Sequence, residues 1–369
     1  MAKFFLFSLL SVAVVVSAFG GFTKSITFTT SGYQGSGPLV NFPVLVKLPG
    51  SIHGFDYADF GGTTNLVFRD SAGNAIPHEV DTWNTTGTSL VWVRVPSVTK
   101  TTTFTMHYCG SDGTANTPAA VWSAANYVGV WHMDETSGSV ADATGHGLTA
   151  TPLPAENASA SIRYTGSDAA PVGCARQTGS STKCYLSIPS YNSYNVGSTF
   201  TMSGWVRLDE AVSGQSPRLF SRKDSYSAKN GWEIEMQKAS DAAFAVRGAD
   251  KDGDGGKGKF NPSLKGRWTH VAFVFDGQLL KVYQNGTELV GNGSITQASD
   301  NNLPLSIGSD SDGSEANVRG AFDECRLLDA VASADWIAAE YATVASDTFV
   351  KAGDVEEIGG KSGAVIFVR

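Results

Sequence analysis

Charge is scarce in this sequence. Asp, Glu, Lys and Arg make up only 17% of its 369 residues, and acidic residues outnumber basic ones, 35 against 27, for a formal net charge of -8. That balance lacks the basic surface that nucleic acid or an anionic membrane would need as a partner. Long apolar runs are missing too. The longest, Phe4 to Val16, is far shorter than the roughly 20 residues that cross a bilayer, so no segment reads as a membrane span. Cysteine is rare, with none before Cys109, which leaves no candidate for a lipid-bearing cysteine near the start. No cysteine pair has the CxxC spacing of a zinc site. The histidines His53, His78, His107, His132, His146 and His270 never form HExxH, and no GxSxG nucleophile elbow accompanies them.

What is abundant is glycine, at 41 residues, against 41% hydrophobic residues. That composition suits many short strands joined by tight turns, an all-β protein, and the length favours two domains. The first residues predict an export signal spanning 1–18: Lys3 is the positive start, Phe4 to Val16 the apolar run, and Val16-Ser17-Ala18 the small-residue cleavage site. Its removal takes away Lys3 and moves the net charge from -8 to -9. The mature chain is then expected to be secreted, periplasmic or held at the cell surface. In an exported chain cysteines can pair, and the Gly/Ser-rich stretch between Cys174 and Cys184 suits a hairpin that joins them. The sequence leaves open whether Cys109 meets Cys325.

Period-2 alternation runs through the N-terminal part. Val44, Val46 and Leu48 share one face of a strand, Val91, Val93 and Val95 another, and Phe104, Met106 and Tyr108 a third. A boundary follows near Gly113 to Pro118, giving a first domain over 19–118. The second, 119–345, carries strands at Phe200 to Leu208, Gly231 to Gln237 and Phe322 to Leu327. Within Trp268 to Leu289, Asp276-Gly277 and Asn285-Gly286 predict type I′ turns between three antiparallel strands. Ser333 can cap a helix over Ala334 to Tyr341, with Ile337 and Tyr341 on one face. The pattern then weakens into a tail, 346–369, that closes on an apolar run from Gly363 to Arg369.

Two family resemblances rest on these strands. The ordered motifs Asn41-Phe42-Pro43-Val44-Leu45-Val46-Lys47-Leu48, Val67-Phe68-Arg69-Asp70, Val91-Trp92-Val93-Arg94-Val95-Pro96 and Met106-His107-Tyr108 resemble domain of unknown function 2341, with Cys109 a departure from its last motif. The resemblance implies export, and an accessory role in an envelope assembly, because some members adjoin an ExbB/TolQ-type channel. The second domain resembles the laminin-G-like, concanavalin A-like jelly rolls. The motifs are Val130-Trp131-His132-Met133-Asp134-Glu135, Asp142-Ala143-Thr144-Gly145-His146-Gly147, Met202-Ser203-Gly204-Trp205-Val206, Trp268-Thr269-His270-Val271-Ala272, Tyr283-Gln284-Asn285-Gly286 and Gly320-Ala321-Phe322-Asp323-Glu324-Cys325-Arg326. The fold implied is two β-sandwiches, the second a jelly roll with one short C-terminal helix. That fold hosts lectins, glycosidases and adhesion modules alike.

Several residues are then candidates for chemistry. Glu233 and Glu235 alternate on one strand, as the acid and nucleophile of a retaining glycosidase on this fold would, about 5 Å apart. The competing expectation puts Trp232, Ile234 and Met236 inward and both glutamates in solvent, with no catalysis. Asp250, Asp252 and Asp254 resemble half of a calcium loop, but the twelfth position is Asn261 in place of the bidentate Glu; Asp310 and Asp312 form a similar acidic turn. The jelly-roll resemblance adds Asp142 and Asp323 as calcium ligands, against the alternative that they cap turns. Tyr191, Tyr194, Tyr226 and Trp232 lie near polar segments and are candidate sugar platforms. The reading is an exported, non-catalytic protein that binds a glycan or a surface protein through its jelly roll.

Overall fold

The computed structural model describes residues 21–154, 161–162, 169–178, 184–188, 199–210, 216–223, 225, 231–238, 240–248, 257–289, 302–313 and 317–359. The predicted export signal, Tyr191, Tyr194, Tyr226, Asp250, Asp252, Asp254 and the closing apolar run lie outside the described residues.

The N-terminal alternation becomes seven strands: β1 (Lys24–Thr29), β2 (Leu39–Pro49), β3 (Leu66–Asp70), β4 (Ala75–Ile76), β5 (His78–Thr82), β6 (Thr88–Val98) and β7 (Thr103–Tyr108). They form two facing sheets, one of order β2-β6-β5 and one of order β1-β7-β3-β4. Val44, Val46, Leu48, Val91, Val93, Val95, Phe104, Met106 and Tyr108 all meet in the core between them, as the period predicts. Burial of each of these side chains stabilises by about 1.5–3 kcal/mol.

After α1 (Ala120–Ser123) the chain builds the second sandwich. Its strands are β8 (Tyr127–Trp131), β9 (Thr151–Leu153), β10 (Ser161–Ile162), β11 (Ala175–Thr178), β12 (Tyr185–Ile188), β13 (Phe200–Leu208), β14 (Arg218–Ser221), β15 (Glu233–Met236), β16 (Ala243–Arg247) and β17 (Lys257–Lys259). They continue with β18 (Thr269–Phe275), β19 (Leu280–Gln284), β20 (Thr287–Glu288), β21 (Leu305–Ile307) and β22 (Gly320–Leu328). One sheet has the order β10-β11-β22-β13-β18-β19-β20 with β8 also on β22; the other runs β17-β16-β15-β14-β21-β12-β9. Between them Phe200, Met202, Val206, Ile234, Met236, Val271 and Phe273 form one core.

Both turns of the predicted meander exist, with different geometry. Asn285 (φ 48°) and Gly286 (φ 79°) make the two-residue turn expected of Asn-Gly. Asp276-Gly277 does not. Phe275 pairs with Leu280, so the loop has four residues, and Asp276 Oδ1 accepts from the backbone N–H of Gln278 and Leu279. The carboxylate gives those amides a partner that a tighter turn would lack.

The predicted helix runs longer than expected, as α2 (Ala334–Ala345), and Ser333 Oγ accepts from Trp336 N at 3.1 Å. The residues after it return to the first domain. β23 (Lys351–Glu357) pairs antiparallel with β1 and completes a five-stranded sheet. A third apolar cluster therefore joins the two domains, with Leu45 and Trp92 from β2 and β6 packed beside Trp122, Trp205, Val274, Ile337 and Val344. Leu45 and Trp92 occupy the face of their sheet opposite the first core. The β2-β6-β5 sheet is thus covered on both faces.

Candidate functional site

The face of β5 that turns toward the second domain carries Glu79 and Asp81, two positions apart and hence on the same side. Opposite them stand His132, just past β8, and Glu324 on β22. A bulge in β22 opposite Ser203 and Trp205 brings Glu324 to this seam beside Asp323. Met133 (φ 69°) and Glu324 (φ 49°) both adopt left-handed backbone that non-glycine residues resist, a cost that the surrounding packing must offset.

His132 donates from Nδ1 to Glu324 Oε1 at 2.6 Å and from Nε2 to Glu79 Oε2 at 3.3 Å. Burial alone would lower the imidazole's pKa. The carboxylates of Glu324 and Glu79 outweigh it and raise the value well above its usual one. Asp81 is different. Its Oδ1 accepts from Thr82 Oγ1, while Oδ2, in a fully enclosed side chain, has no hydrogen-bond partner and lies 3.7 Å from His132 Nδ1. Burial pushes its pKa up to about 8, against the opposing pull of His132. Asp323 shows the same pattern. Oδ2 accepts from Val172 N at 2.9 Å, Oδ1 has no partner, and burial drives the pKa far up. Asp134, pushed up to about 6 by burial, accepts from Cys174 N at 2.7 Å. Arg326 closes the group, donating to Glu324 Oε2 at 2.6 Å and lying 4.5 Å over Trp92 and 4.9 Å over Trp122. Such a concentration of enclosed carboxyls is costly unless something positive compensates it.

A second feature is concave. A groove of about 380 Å³ opens between the outer face of the β13-β18 sheet and α2, lined by Trp205, Arg267, Trp268, Asn285, Tyr341 and Val344. Trp205 and Tyr341 lie 5.6 Å apart at 34°. Asn285 Oδ1 accepts from His270 N at 3.0 Å, and this fixes the plane of its amide.

The candidates read from the sequence fall elsewhere. Ile234 and Met236 point inward as expected, but Glu233 and Glu235 are not in solvent, at 1% and 2% exposure. Arg218 Nε donates to Glu233 at 3.1 Å and Arg247 Nη2 to Glu235 at 2.8 Å, so each glutamate is paired with an arginine from a neighbouring strand, while burial still pushes the pKa of Glu233 up. Trp232 is no platform, because it stacks on Phe200 in the core with ring centres 4.6 Å apart. Asp142 behaves as a turn cap. Its oxygens accept from the backbone N–H of Val130, Thr144 and Leu148 and from Thr144 Oγ1, which leaves little room for calcium. Asp310 is buried and Asp312 exposed. The only set of three potential metal ligands gathered together among the described residues is Asp81, His132 and Glu324. Cys174 is half-buried, Cys184 buried, and no bridge joins them in this structure. Of the seam residues, Asp323 was among the sequence candidates, as a calcium ligand; Glu79, Asp81, His132 and Glu324 were not singled out as ligands, although Glu79 and Asp81 alternate on one face of β5 with Val80 on the other.

A family described as the concanavalin A-like lectin/glucanases superfamily matches residues 180–338, the larger part of the second sandwich. Among curated proteins no sequence matches the chain. Similar solved structures include domain 4 of AbnA, an extracellular GH43 arabinanase from Geobacillus stearothermophilus, in complex with arabinotriose. It is 17% identical over 58% of this chain and 97% of that one, with a TM-score of 0.42. A Trypanosoma rangeli sialidase is 16% identical over 74% of this chain and 43% of its own, with a TM-score of 0.44. The binding domain of Paraclostridial Mosquitocidal Protein 1 is 15% identical over 59% and 52%, with a TM-score of 0.43.

Proposed function

We propose that this chain is an exported, non-catalytic binding protein that recognises a carbohydrate through the groove beside α2. The observation that carries the proposal is the lining of that groove: Trp205, Trp268 and Tyr341 supply apolar ring faces, and Asn285 and Arg267 supply polar groups at its edge. Sugars present apolar C–H faces flanked by hydroxyls, and a shallow groove with aromatic walls and a few oriented polar groups matches that chemistry. The match of the second sandwich to the concanavalin A-like lectin/glucanases superfamily supports the same class. Absence of catalysis is supported by the enclosure of Glu233 and Glu235, at 1% and 2% exposure beside Arg218 and Arg247, since a retaining glycosidase needs its acid and nucleophile open to the sugar.

The test is a glycan array probed with the full chain, followed by titration of any hit with Trp268→Ala and Tyr341→Ala. We expect at least a tenfold loss of affinity in each variant with an unchanged melting temperature. A hit that both variants bind as tightly as wild type would move the site away from this groove. Binding to an extracted surface protein, with no glycan hit, would redirect the reading to a protein partner.

A further inference from the structure

We propose that the seam between the two domains holds a divalent first-row transition metal ion, ligated by Asp81, His132 and Glu324. The ligand atoms come from both domains, from β5 on one side and from β22 and the residue just past β8 on the other, and lie within 4.8 Å of one another. Asp81 Oδ2 is the informative atom. It is enclosed, has no hydrogen-bond partner, and faces His132 Nδ1 at 3.7 Å. An enclosed carboxylate oxygen without a donor is rare in a folded protein, and an ion supplies what it lacks.

The surroundings match a metal-bound imidazole. The other ring nitrogen, Nε2, is held by Glu79 Oε2 at 3.3 Å, and Glu79 in turn accepts from Trp122 Nε1. A carboxylate on the far nitrogen is how proteins orient a ligating histidine and strengthen it as a donor. Arg326 holds the second oxygen of Glu324 in the same manner. One imidazole and two carboxylates favour zinc, manganese or iron over calcium, which prefers an all-oxygen shell. With bonds of about 2.0–2.2 Å to a tetrahedral ion, ligand atoms sit roughly 3.3–3.6 Å apart. The His132–Asp81 spacing is already close to that, and Glu324, now 2.6 Å from Nδ1, has to retreat by less than about 1 Å once the ion replaces the proton between them. Glu79 and His132 are the groups of the cluster nearest solvent, with side chains 21% and 14% exposed.

The experiment strips the full chain with a chelator and titrates it with Zn2+ by calorimetry, with Ca2+ in parallel and Co2+ as a spectroscopic probe. We expect one Zn2+ per chain, a rise in melting temperature of about 3 °C or more at saturation, and a Co2+ visible spectrum indicating nitrogen and oxygen ligands. Asp81→Asn preserves shape and replaces an oxygen that has no donor, so it should fold normally, bind Zn2+ at least tenfold more weakly and lose the thermal shift. His132→Gln should abolish the Co2+ spectrum. The proposal is overturned if the wild-type chain binds no Zn2+, if Asp81→Asn binds it equally well, or if only Ca2+ binds.

Discussion

Glu340 lies in α2 with 3% exposure and is surrounded by donors: Ser203 Oγ, His270 Nε2 at 3.2 Å and Tyr127 OH at 3.4 Å. Burial alone would raise its pKa. The hydrogen bond from His270 and the nearby charge of Arg326 reverse that and bring it from 4.5 to about 2. The sign follows from a folded pKa below the unfolded one. The contribution is fully present above about pH 4.5 and is lost as pH falls toward 2, with an upper bound of about 3 kcal/mol. Glu340→Gln should therefore destabilise the protein by that order at neutral pH, with the difference from wild type shrinking as the pH is lowered through this window. Urea melts at a series of pH values would read it; a constant difference at every pH would locate the cost in packing.

At the scale of elements, β23 decides how the first domain ends. It pairs with five of the six residues of β1, passing Thr27 at a bulge, and covers what would otherwise be an exposed unpaired edge. Truncation after Ser346 should lower the melting temperature and raise the tendency to aggregate, readable by calorimetry and light scattering; unchanged behaviour would make β23 dispensable. This strand was hard to see in the sequence. Lys351, Asp354, Glu356 and Glu357 dominate it, and an edge strand with one half-exposed face shows little apolar alternation. Strands with a fully buried face, such as Val44, Val46 and Leu48 in β2, were legible because periodicity records that burial directly. Trp232 misled because proximity to polar residues says nothing about which way a ring points. Glu233 and Glu235 misled in another way, because period 2 placed them on the outer face but could not show that Arg218 and Arg247 would enclose them.

On the scale of the whole molecule, the seam makes the two sandwiches one structure. Trp92 is fully buried there, 5.3 Å from the ring of Trp122 and beneath Arg326. Leu45 N donates to Thr343 Oγ1 at 2.8 Å, and Lys47 Nζ to the Val344 carbonyl at 2.9 Å, so α2 is tied to β2 by polar bonds as well. A wild-type chain should melt in a single calorimetric transition, and Trp92→Ala, costing about 3–5 kcal/mol, should split it in two. Two separate wild-type transitions would show that the domains unfold independently. Asp323 was singled out from the sequence, but Glu79, Asp81 and Glu324 escaped it because these carboxyls become a cluster only when distant segments dock.

The pairing of β1 with β23 also governs how the molecule bears load. Lys24 lies opposite Glu357 at one end of the ladder, while Thr29 lies opposite Lys351 at the other. Tension applied at Lys24 and Glu357 pulls on neighbouring ends of antiparallel strands and opens the ladder one pair at a time, with no need to shear all its hydrogen bonds together. The second sandwich sits inside the loop that these strands close. Traction between two tethers would peel the clasp open first and leave the groove beside α2 unloaded until the clasp gives way.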